Sequence, residues 1–179
     1  SMTTFEKLST LAEITDQDEM IKACKKYGLK EPRLICEPGR SLVATPGVTL
    51  YTVGILKTLP GIRKYVAIDG GMSDNIRTAL YHAEYEPVIA NKAGQPRTEI
   101  VTLCGKHCES GDAVALDASI QHPDLGDIVC VFGTGAYCHS MSSNYNGQPR
   151  PGIVFVKDGV ARLVTRRETY DDLMACDID

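Results

Sequence analysis

Several features that define common protein classes are missing from this sequence of 179 residues. No apolar run approaches the ~18 residues of a membrane-spanning helix. No more than two basic residues are adjacent anywhere, and the formal net charge is −4, whereas a nucleic-acid-binding protein usually carries a basic face. The amino terminus lacks the charged-then-apolar order of a signal peptide. These absences predict a cytoplasmic protein without nucleic-acid or membrane partners.

The sequence also lacks a disulfide framework. Its seven cysteines are an odd number with irregular spacing, and several lie inside apolar segments such as "DIVCVF". This pattern predicts reduced cysteines in a cytosolic protein. A zinc site commonly needs two pairs of Cys or His ligands. Cys104 and Cys108 form one pair, but no second pair has zinc-like spacing, so a zinc protein is a disfavoured alternative.

The amino-terminal region predicts one helix followed by one strand. In "TDQDEMIKACKKYGLKEP", acidic residues open the segment, lysines close it and Gly28 is a plausible stop. "RLICE" then reads as a short strand, which needs neighbouring strands to pair with. Ser1-Met2 resembles a cleavage scar in front of an internal start. We therefore expect the natural protein to be longer than this chain.

From about residue 46 the sequence predicts an all-β domain. Its short β-branched segments are separated by Gly, Pro, Asn or Asp. "KDG", between "IVFV" and "VARLV", is a hairpin turn, and "RETYDDLM" predicts a short closing helix. The chain therefore divides into residues 1–45, a helix and a strand, and residues 46–179, a β-sandwich or barrel.

Three motifs carry residues that suit anion binding, and each also has an ordinary explanation. In "EPGRS", Gly39 lets a backbone N–H approach an anion and Arg40 offers a planar fork, unless the segment is an exposed turn. Arg77 and Tyr81 share a helix face and would form a carboxylate-binding pair, unless Tyr81 packs in the core. In "FGTGAYCHSMSSNYNGQPRP", Tyr137 offers a phenol to a phosphate, unless the segment is an ordinary surface loop.

A fourth motif, "LCGKHCESGD", holds two thiols four positions apart, with an acid directly after the second. It is half of a metal site, a piece of buried core or a catalytic loop that needs both Cys108 and Glu109. Cys104 ends a strand-like run, and we expect its side chain to point into the core. The motif alone does not decide between these interpretations.

Taken together and in order, "EPGRSLVA", "IDGGMSDNIRTALYHAEYEP", "CGKHCESGD" and "GAYCHSMSSNYNGQPRP" strongly resemble the C-terminal part of the diaminopimelate decarboxylases. This family is the lysine-forming branch of the fold-type III, pyridoxal-phosphate-dependent decarboxylases, with an alanine-racemase-like architecture. The resemblance extends over about residues 15–175. It implies decarboxylation of meso-2,6-diaminopimelate to L-lysine and carbon dioxide, which is a step of lysine biosynthesis.

The resemblance implies pyridoxal 5′-phosphate as cofactor and residues that hold it. The family's Glu-Pro-Gly-Arg motif falls on Glu37, Gly39 and Arg40, where the backbone holds the cofactor phosphate and the arginine contacts a substrate carboxylate. Tyr137 falls on the tyrosine beside the cofactor. Because the cofactor is the electron sink of such reactions, the protein mainly orients the substrate and places a proton donor.

The resemblance also implies roles toward a small amino-acid substrate. Arg77 and Tyr81 fall on the pair that binds its distal end. Cys108 falls on the acid that protonates the α-carbon after carbon dioxide leaves, and Glu109 on the carboxylate that binds the distal ammonium group. In the family these last two residues reach across a homodimer interface into the partner's site. The motif is then a catalytic loop.

One part of the family pattern is missing. The Schiff-base lysine of the family lies in an N-terminal (β/α)8 barrel, of which residues 1–45 resemble only the last helix and strand. The chain is therefore a C-terminal fragment that we expect to be inactive alone. Lys92 and Lys106 are conceivable substitutes for this lysine, but no motif supports either of them.

Two departures and two alternatives stay open. Thr78 stands where many relatives have proline, and Cys138 where glycine is common, so the effect on substrate affinity is undetermined. A standalone β module would use Arg40, Arg77 and Tyr81 to bind a small anionic metabolite. A decarboxylase of the ornithine, arginine or carboxynorspermidine branch would share the fold but not the substrate.

Overall fold

A computed structural model of the chain describes residues 17–33, 35 and 37–178. These residues belong to two compact units that divide between Pro38 and Gly39. The expected domain boundary between residues 45 and 46 stays a prediction. Within the described ranges, no helix combines the length and apolar character needed to cross a bilayer.

The first unit contains the predicted amino-terminal helix, α1, over Gln17–Tyr27. Acidic residues in its first turn and lysines in its last turn complement the helix dipole. Gly28 ends the helix with a φ of 62°, and the N–H of Leu29 donates to the carbonyl of Cys24 at 2.9 Å. This closure requires a left-handed residue, which explains the glycine.

The strand predicted over residues 33–37 falls partly outside the described residues, at Leu34 and Cys36. Arg33, Ile35 and Glu37 belong to no helix or strand. A strand forms only where its backbone pairs with a neighbour. The strand therefore stays a prediction.

The second unit begins with a short helix and continues as eight strands, which confirms the predicted β domain. Its helices are α2 Gly39–Val43, α3 Arg77–Tyr81 and α4 Tyr170–Leu173. Its strands are β1 Val48–Leu59, β2 Arg63–Ile68, β3 Pro87–Ile89, β4 Glu99–Cys104, β5 Ala113–Ile120, β6 Ile128–Phe132, β7 Ile153–Lys157 and β8 Val160–Thr165. Single 3-10 turns lie at Ala90–Lys92, His139–Met141 and Tyr145–Gly147.

Strands β1 to β6 form one sheet in the order β3-β6-β1-β2-β4-β5. All neighbours are antiparallel except β2 with β4. The long β1 pairs with β6 in its first half and with β2 in its second, and its register shifts at Gly54. The outer strands β3 and β5 lie against each other, and the N–H of Ile89 donates to Gln121 Oε1 at 2.9 Å. The sheet is therefore a nearly closed barrel.

The inside of this barrel is the hydrophobic core, built from the alternate side chains of the strands. Its largest fully buried apolar members are Ile89, Leu103, Ile120, Val53, Val66, Val101, Val114, Val129 and Val131. β-branched residues dominate because they pack well on a pleated surface. Cys104 is only half buried, and its thiol lies 3.6 Å from the carbonyl oxygen of Val66. The prediction that it points into the core is thus met only in part.

Strands β7 and β8 form a separate two-stranded ribbon. Asp158 and Gly159 connect them with φ values of 52° and 76°, the two left-handed residues that a tight hairpin turn requires. The predicted "KDG" turn is confirmed. After β8, Thr169 and Asp172 form a reciprocal capping box at the start of α4.

Candidate active site

The loop over residues 69–76 connects strand β2 to helix α3, which begins at the candidate residue Arg77. Asp74 organises this loop: its Oδ1 accepts from the N–H of Gly71 at 2.8 Å, and its Oδ2 accepts from the hydroxyl of Tyr51. Burial, and then the charge of Asp74, raise the pKa of Tyr51, while burial raises the pKa of Asp74. The phenol therefore keeps its proton and donates it in the hydrogen bond, which fixes the loop to the barrel.

Thr78 anchors the helix that follows this loop. Its hydroxyl is buried and lies 2.8 Å from the carbonyl oxygen of Val114 and 3.2 Å from that of Ala83. A proline, common here in relatives of the resembled family, would lack this hydroxyl. The hydroxyl of Thr78 thus fixes helix α3 to strand β5.

Thr78→Val is expected to lower the free energy of unfolding by about 1–3 kcal/mol, because it removes the donor and leaves a buried carbonyl without that partner. Urea denaturation measures the change as a lower midpoint at constant slope. Thr58→Val, at an exposed position of β1, is the matched control and should stay within about 0.5 kcal/mol of the parent chain. Equal effects of the two substitutions would contradict the anchoring role.

The guanidinium group of Arg77 lies between two tyrosine rings. Its central carbon is 5.2 Å from the ring centroid of Tyr81 and 5.3 Å from that of Tyr137. Both tyrosines are about half exposed, at 57% and 47%. Tyr81 is therefore not a core residue, and the ordinary explanation for it is wrong. The buried Nε of Arg77 has no hydrogen-bond partner among the described residues.

A contact between two backbone segments of the second unit holds the end of helix α2 against the loop that carries the "GAY" motif. A Cβ atom on Gly47 would lie 2.2 Å from the Cα of Gly135, and one on Gly135 would lie 1.9 Å from the carbonyl oxygen of Val43. The N–H of Gly135 also donates to the carbonyl of Ala44 at 3.1 Å. Only glycine fits at both positions, and the end of α2 is thereby held against the loop that carries Tyr137.

Gly39 and Arg40 consequently lie beside the tyrosine-arginine group. A Cβ atom on Gly39 would be 3.7 Å from the hydroxyl of Tyr137, so the missing side chain leaves room next to the phenol. The positive charges of Arg40 and Arg77 both act on the thiol of Cys138. The structure thus collects five predicted residues in one place, and we call Gly39, Arg40, Arg77, Tyr81 and Tyr137 the arginine cluster.

Two residues that the sequence did not single out as ligands lie under the arginine cluster. Cys138 is buried, and its Sγ is 3.5 Å from the hydroxyl of Tyr85. Burial raises the pKa of the Cys138 thiol, and the charges of the two arginines oppose this rise. Burial, with Cys138 next, raises the pKa of Tyr85 to about 12. Both groups are therefore neutral near pH 7 and line the cluster without adding charge to it.

Cys108 and Glu109 lie on a different loop, residues 105–112. Cys108 is exposed, and its N–H donates to Asn146 Oδ1 at 3.2 Å. Glu109 accepts from the N–H of Gly111 at 3.2 Å and from the hydroxyl of Tyr145 at 3.3 Å. The N–H of Gly111, followed by hydroxyl donors, lowers the pKa of Glu109. The loop therefore presents an ionised carboxylate beside a free thiol.

The two groups of candidate residues are separate within one chain. Among the described residues, no hydrogen bond, ion pair or ring contact joins Cys108 or Glu109 to the arginine cluster. They are linked only indirectly, because the carboxylate of Asp112 accepts from the N–H of Met72 at 2.7 Å and from that of His107 at 2.8 Å. Glu37 belongs to the first unit, and its assigned role stays a prediction.

Lys92 and Lys106, the two candidate substitutes for the Schiff-base lysine, differ in their surroundings. The ammonium of Lys92 donates to Asp124 and Asp127, each at 2.6 Å, and these hydrogen bonds raise its pKa. It is therefore a structural cation rather than a nucleophile. Lys106 is exposed beside His107.

The sequence analysis did not predict Tyr145 and Asn146, which hold the loop of Cys108. The "NYNG" segment with its turn-forming Asn-Gly step nevertheless indicated a loop of defined shape.

Thiol exposure gives a direct check of this arrangement. A maleimide is expected to modify Cys108 and Cys176 quickly in the native chain, because both are exposed, and Cys130 and Cys138 slowly, because both are buried. Mass spectrometry of peptides taken at successive times measures the rates. Cys176 is the internal control for an unhindered thiol. Modification of Cys138 as fast as Cys176 would contradict the buried position beneath the arginine cluster.

The fold and the site define a class, the C-terminal domain of pyridoxal-dependent decarboxylases. Residues 42–135 match the family described as "Pyridoxal-dependent decarboxylase, C-terminal sheet domain", and the chain belongs to this family. The family as a whole depends on pyridoxal phosphate, so the cofactor expected from the sequence is confirmed at the level of the family.

Within this class, diaminopimelate decarboxylases are among the proteins that this chain is similar to. The chain is 50% identical over 165 residues to the one from Bacillus subtilis (strain 168), which covers 90% of this chain and 38% of that protein. It is 49% identical over 156 residues to the one from Synechocystis sp., covering 87% of this chain and 33% of that protein. The resemblance inferred from the four motifs is confirmed.

Solved structures agree with this assignment. The crystal structure of diaminopimelate decarboxylase from M. jannaschii matches with a TM-score of 0.76 and 38% identity, over 90% of this chain and 37% of that chain. A second crystal structure of that protein is a complex with L-lysine. This chain therefore spans well under half the length of the relatives that it matches.

Proposed function

We propose that this chain is the C-terminal part of an enzyme that decarboxylates meso-2,6-diaminopimelate to L-lysine with pyridoxal phosphate. The observation that carries the proposal is the position of Arg77, whose guanidinium lies over the rings of Tyr81 and Tyr137. Its side chain has no acidic partner among the described residues. A planar cation prepared in this way suits a substrate carboxylate.

The arginine cluster also fits the phosphate end of the cofactor. At Gly39 a side chain would fill the space beside the hydroxyl of Tyr137. Arg40, whose charge acts on the same thiol as that of Arg77, would supply a cation for the phosphate or for the substrate carboxylate. The bound cofactor would supply the electron sink for the charge left by carbon dioxide loss. We assign the backbone at Glu37 to the same phosphate by resemblance alone.

Two side chains then bind the distal end of the substrate. Arg77 binds the carboxylate at its distal end. Glu109, kept ionised by its hydrogen-bond donors, binds the distal ammonium group. Each charge-assisted hydrogen bond contributes roughly 1.5–3 kcal/mol, so two or three of them discriminate diaminopimelate from amino acids without a second zwitterionic end by several decades.

Cys108 is the proposed proton donor at the α-carbon. It is exposed and has no hydrogen bond from its thiol to another described residue, so the proton is free to be given to a substrate. Glu109 follows it directly, so the loop places the proton donor beside the carboxylate that fixes the distal ammonium group. The thiol would then protonate the face of the α-carbon that it meets.

We further propose that the enzyme is a cytoplasmic homodimer in which Cys108 and Glu109 act in the partner's site. Support comes from the separation of these residues from the arginine cluster within one chain, together with their exposure. We also propose that the natural polypeptide is more than twice as long as this chain, because the chain covers only 38% of the Bacillus subtilis relative. The polypeptide mass of the protein isolated from its source tests the length, and a mass near 19.5 kDa would contradict it.

The substrate assignment is tested with Glu109→Ala in the full-length product. We expect a loss of about tenfold to a hundredfold in kcat/KM for meso-diaminopimelate, the cost of one charge-assisted hydrogen bond. Asp177→Ala, an exposed acid near the carboxyl end, is the control and should change nothing. An unchanged kcat/KM in Glu109→Ala would remove the ammonium-binding role, and turnover of ornithine in preference would favour the neighbouring branch of the family.

A further inference from the structure

Asp112 is the fixed point of the loop that presents Cys108. Its Oδ2 accepts from the backbone N–H of His107 at 2.8 Å and from the ring Nδ1 of His107 at 2.7 Å. Its Oδ1 accepts from the N–H of Met72 at 2.7 Å. The buried carboxylate is itself fixed by two backbone N–H groups, and it holds the histidine ring at Nδ1.

Two glycines leave the space that this arrangement needs. A Cβ atom on Gly105 would lie 2.2 Å from Asp112 Oδ2, and one on Gly71 would lie 2.5 Å from Asp112 Oδ1 and 2.8 Å from the ring Nδ1 of His107. The site is therefore built around the aspartate-histidine pair from two different loops.

The imidazole of His107 in turn supports Tyr145. The two rings are stacked, with centroids 6.0 Å apart and an angle of 22° between their planes. The hydroxyl of Tyr145 donates to Glu109 Oε2 at 3.3 Å, and the next residue, Asn146, accepts from the N–H of Cys108. Both candidate functional residues are thus held by the segment that rests on this ring.

Packing alone does not account for a histidine at this position. Its side chain is fully buried, and its Nε2 has no hydrogen-bond partner among the described residues. A buried polar atom without a partner is costly, and an apolar ring would fill the same space without that cost. Only a ring that carries a donor at Nδ1 can both bind Asp112 and stack on Tyr145.

We infer that His107 is a positioning residue: Asp112 fixes its ring, the ring supports Tyr145, and Tyr145 with Asn146 holds Glu109 and Cys108 in place. Its effect on catalysis rests on the proposed function, whereas its effect on the loop does not. Enzyme sites need such support because a group displaced by about 1 Å loses much of its activity.

The contacts from Asp112 through His107 and Tyr145 to Glu109 and Cys108 form a relay, and three variants separate its parts. His107→Asn keeps a donor near the position of Nδ1 but removes the ring, His107→Phe keeps a ring but removes the donor, and Tyr145→Phe keeps both rings but removes the hydroxyl. In this chain, NMR of the Glu109 side-chain carboxyl against pH, together with hydrogen exchange at the Cys108 N–H, reports on the loop.

The expected result is a graded response. His107→Asn and Tyr145→Phe should both raise the pKa of Glu109 toward its ordinary value, and His107→Phe should raise it less. His107→Asn should also speed exchange at the Cys108 N–H by about tenfold, the effect of losing one hydrogen bond, whereas Tyr145→Phe should leave that exchange unchanged.

A purely structural histidine would give a different outcome. All the His107 variants would then lower the melting temperature, while the pKa of Glu109 and the exchange at Cys108 stayed at their parent values, and this result would overturn the inference. If the His107 variants do not fold, Tyr145→Phe still decides, because an unchanged pKa of Glu109 in that variant would break the relay.

A second measurement uses the full-length product. His107→Asn should raise KM for meso-diaminopimelate by about tenfold and also lower kcat, because Glu109 and Cys108 both lose their support, and His107→Phe should recover part of both losses. Absence of any decarboxylase activity in the parent protein would refute the proposed function. The NMR and exchange results would still stand or fall without it.

Discussion

The 179-residue chain, mixed with pyridoxal phosphate and meso-diaminopimelate, is expected to release no carbon dioxide above background. The resemblance implies that the lysine that holds the cofactor lies in an N-terminal barrel, of which residues 1–45 are expected to be only the last helix and strand. Lys92 cannot replace it, because two carboxylates hold its ammonium and raise its pKa. Without a covalent hold and a rigid frame, even a cofactor misplaced by ~1 Å costs about a hundredfold in rate.

The measurement combines two readouts on the same sample. Carbon dioxide release is compared with that of the full-length product, which should turn over. After borohydride reduction, peptide mapping should find no single lysine that retains the cofactor. Specific retention at one lysine together with turnover would refute the fragment interpretation. Tight binding of a small anion by the chain without cofactor would instead favour the standalone module.

The second large effect is expected from Cys108→Ala in the full-length product. Removing a general acid typically costs about 10²–10⁴-fold, and the loss should fall on kcat rather than on KM, because the thiol acts on the α-carbon and not on the groups that bind the substrate. The exposed loop position of Cys108 makes the substitution compatible with folding.

Steady-state kinetics and the position of the incoming hydrogen measure this effect. In heavy water, the parent enzyme should place one deuterium on one face of the carbon that lost carbon dioxide, which is the ε-carbon of the product lysine, and Cys108→Ala should lose this facial selectivity as turnover falls. Cys176→Ala, at the other exposed thiol, is the matched control and should behave like the parent. Undiminished turnover in Cys108→Ala would show that another group donates the proton.

The strands could be predicted from the sequence because each signal is local. Short β-branched segments separated by turn residues predicted the β domain of the second unit, and Asp158-Gly159 predicted the hairpin turn between β7 and β8. The parallel pairing of β2 with β4 was not predictable, because nothing within either segment specifies a partner more than thirty residues away. The same limit applies to helix α2, where the motif around Gly39 was expected only to end a strand.

The sequence predicted which residues belong to the candidate site, but not which of their side chains lie together. The spacing of Arg77 and Tyr81 predicted that these two side chains lie together. The second ring beside the guanidinium, that of Tyr137, comes from a loop more than fifty residues later. The turn-forming "NYNG" segment marked a loop around Tyr145 and Asn146, but not its partner. The roles of these two residues and of His107 follow from contacts between loops that are distant in the sequence, and no local pattern specifies such contacts.

The contact between Gly47 and Gly135 sets a limit on how this domain can change over evolutionary time. A clash between two side chains can be relieved by trimming either one, but here a first side-chain carbon would meet main-chain atoms, and no second substitution can trim a main chain. A side chain at either position therefore requires the main chain itself to move. The close approach of the end of α2 to the loop of Tyr137 is consequently a property of the main chain, which substitutions among the surrounding side chains leave unchanged.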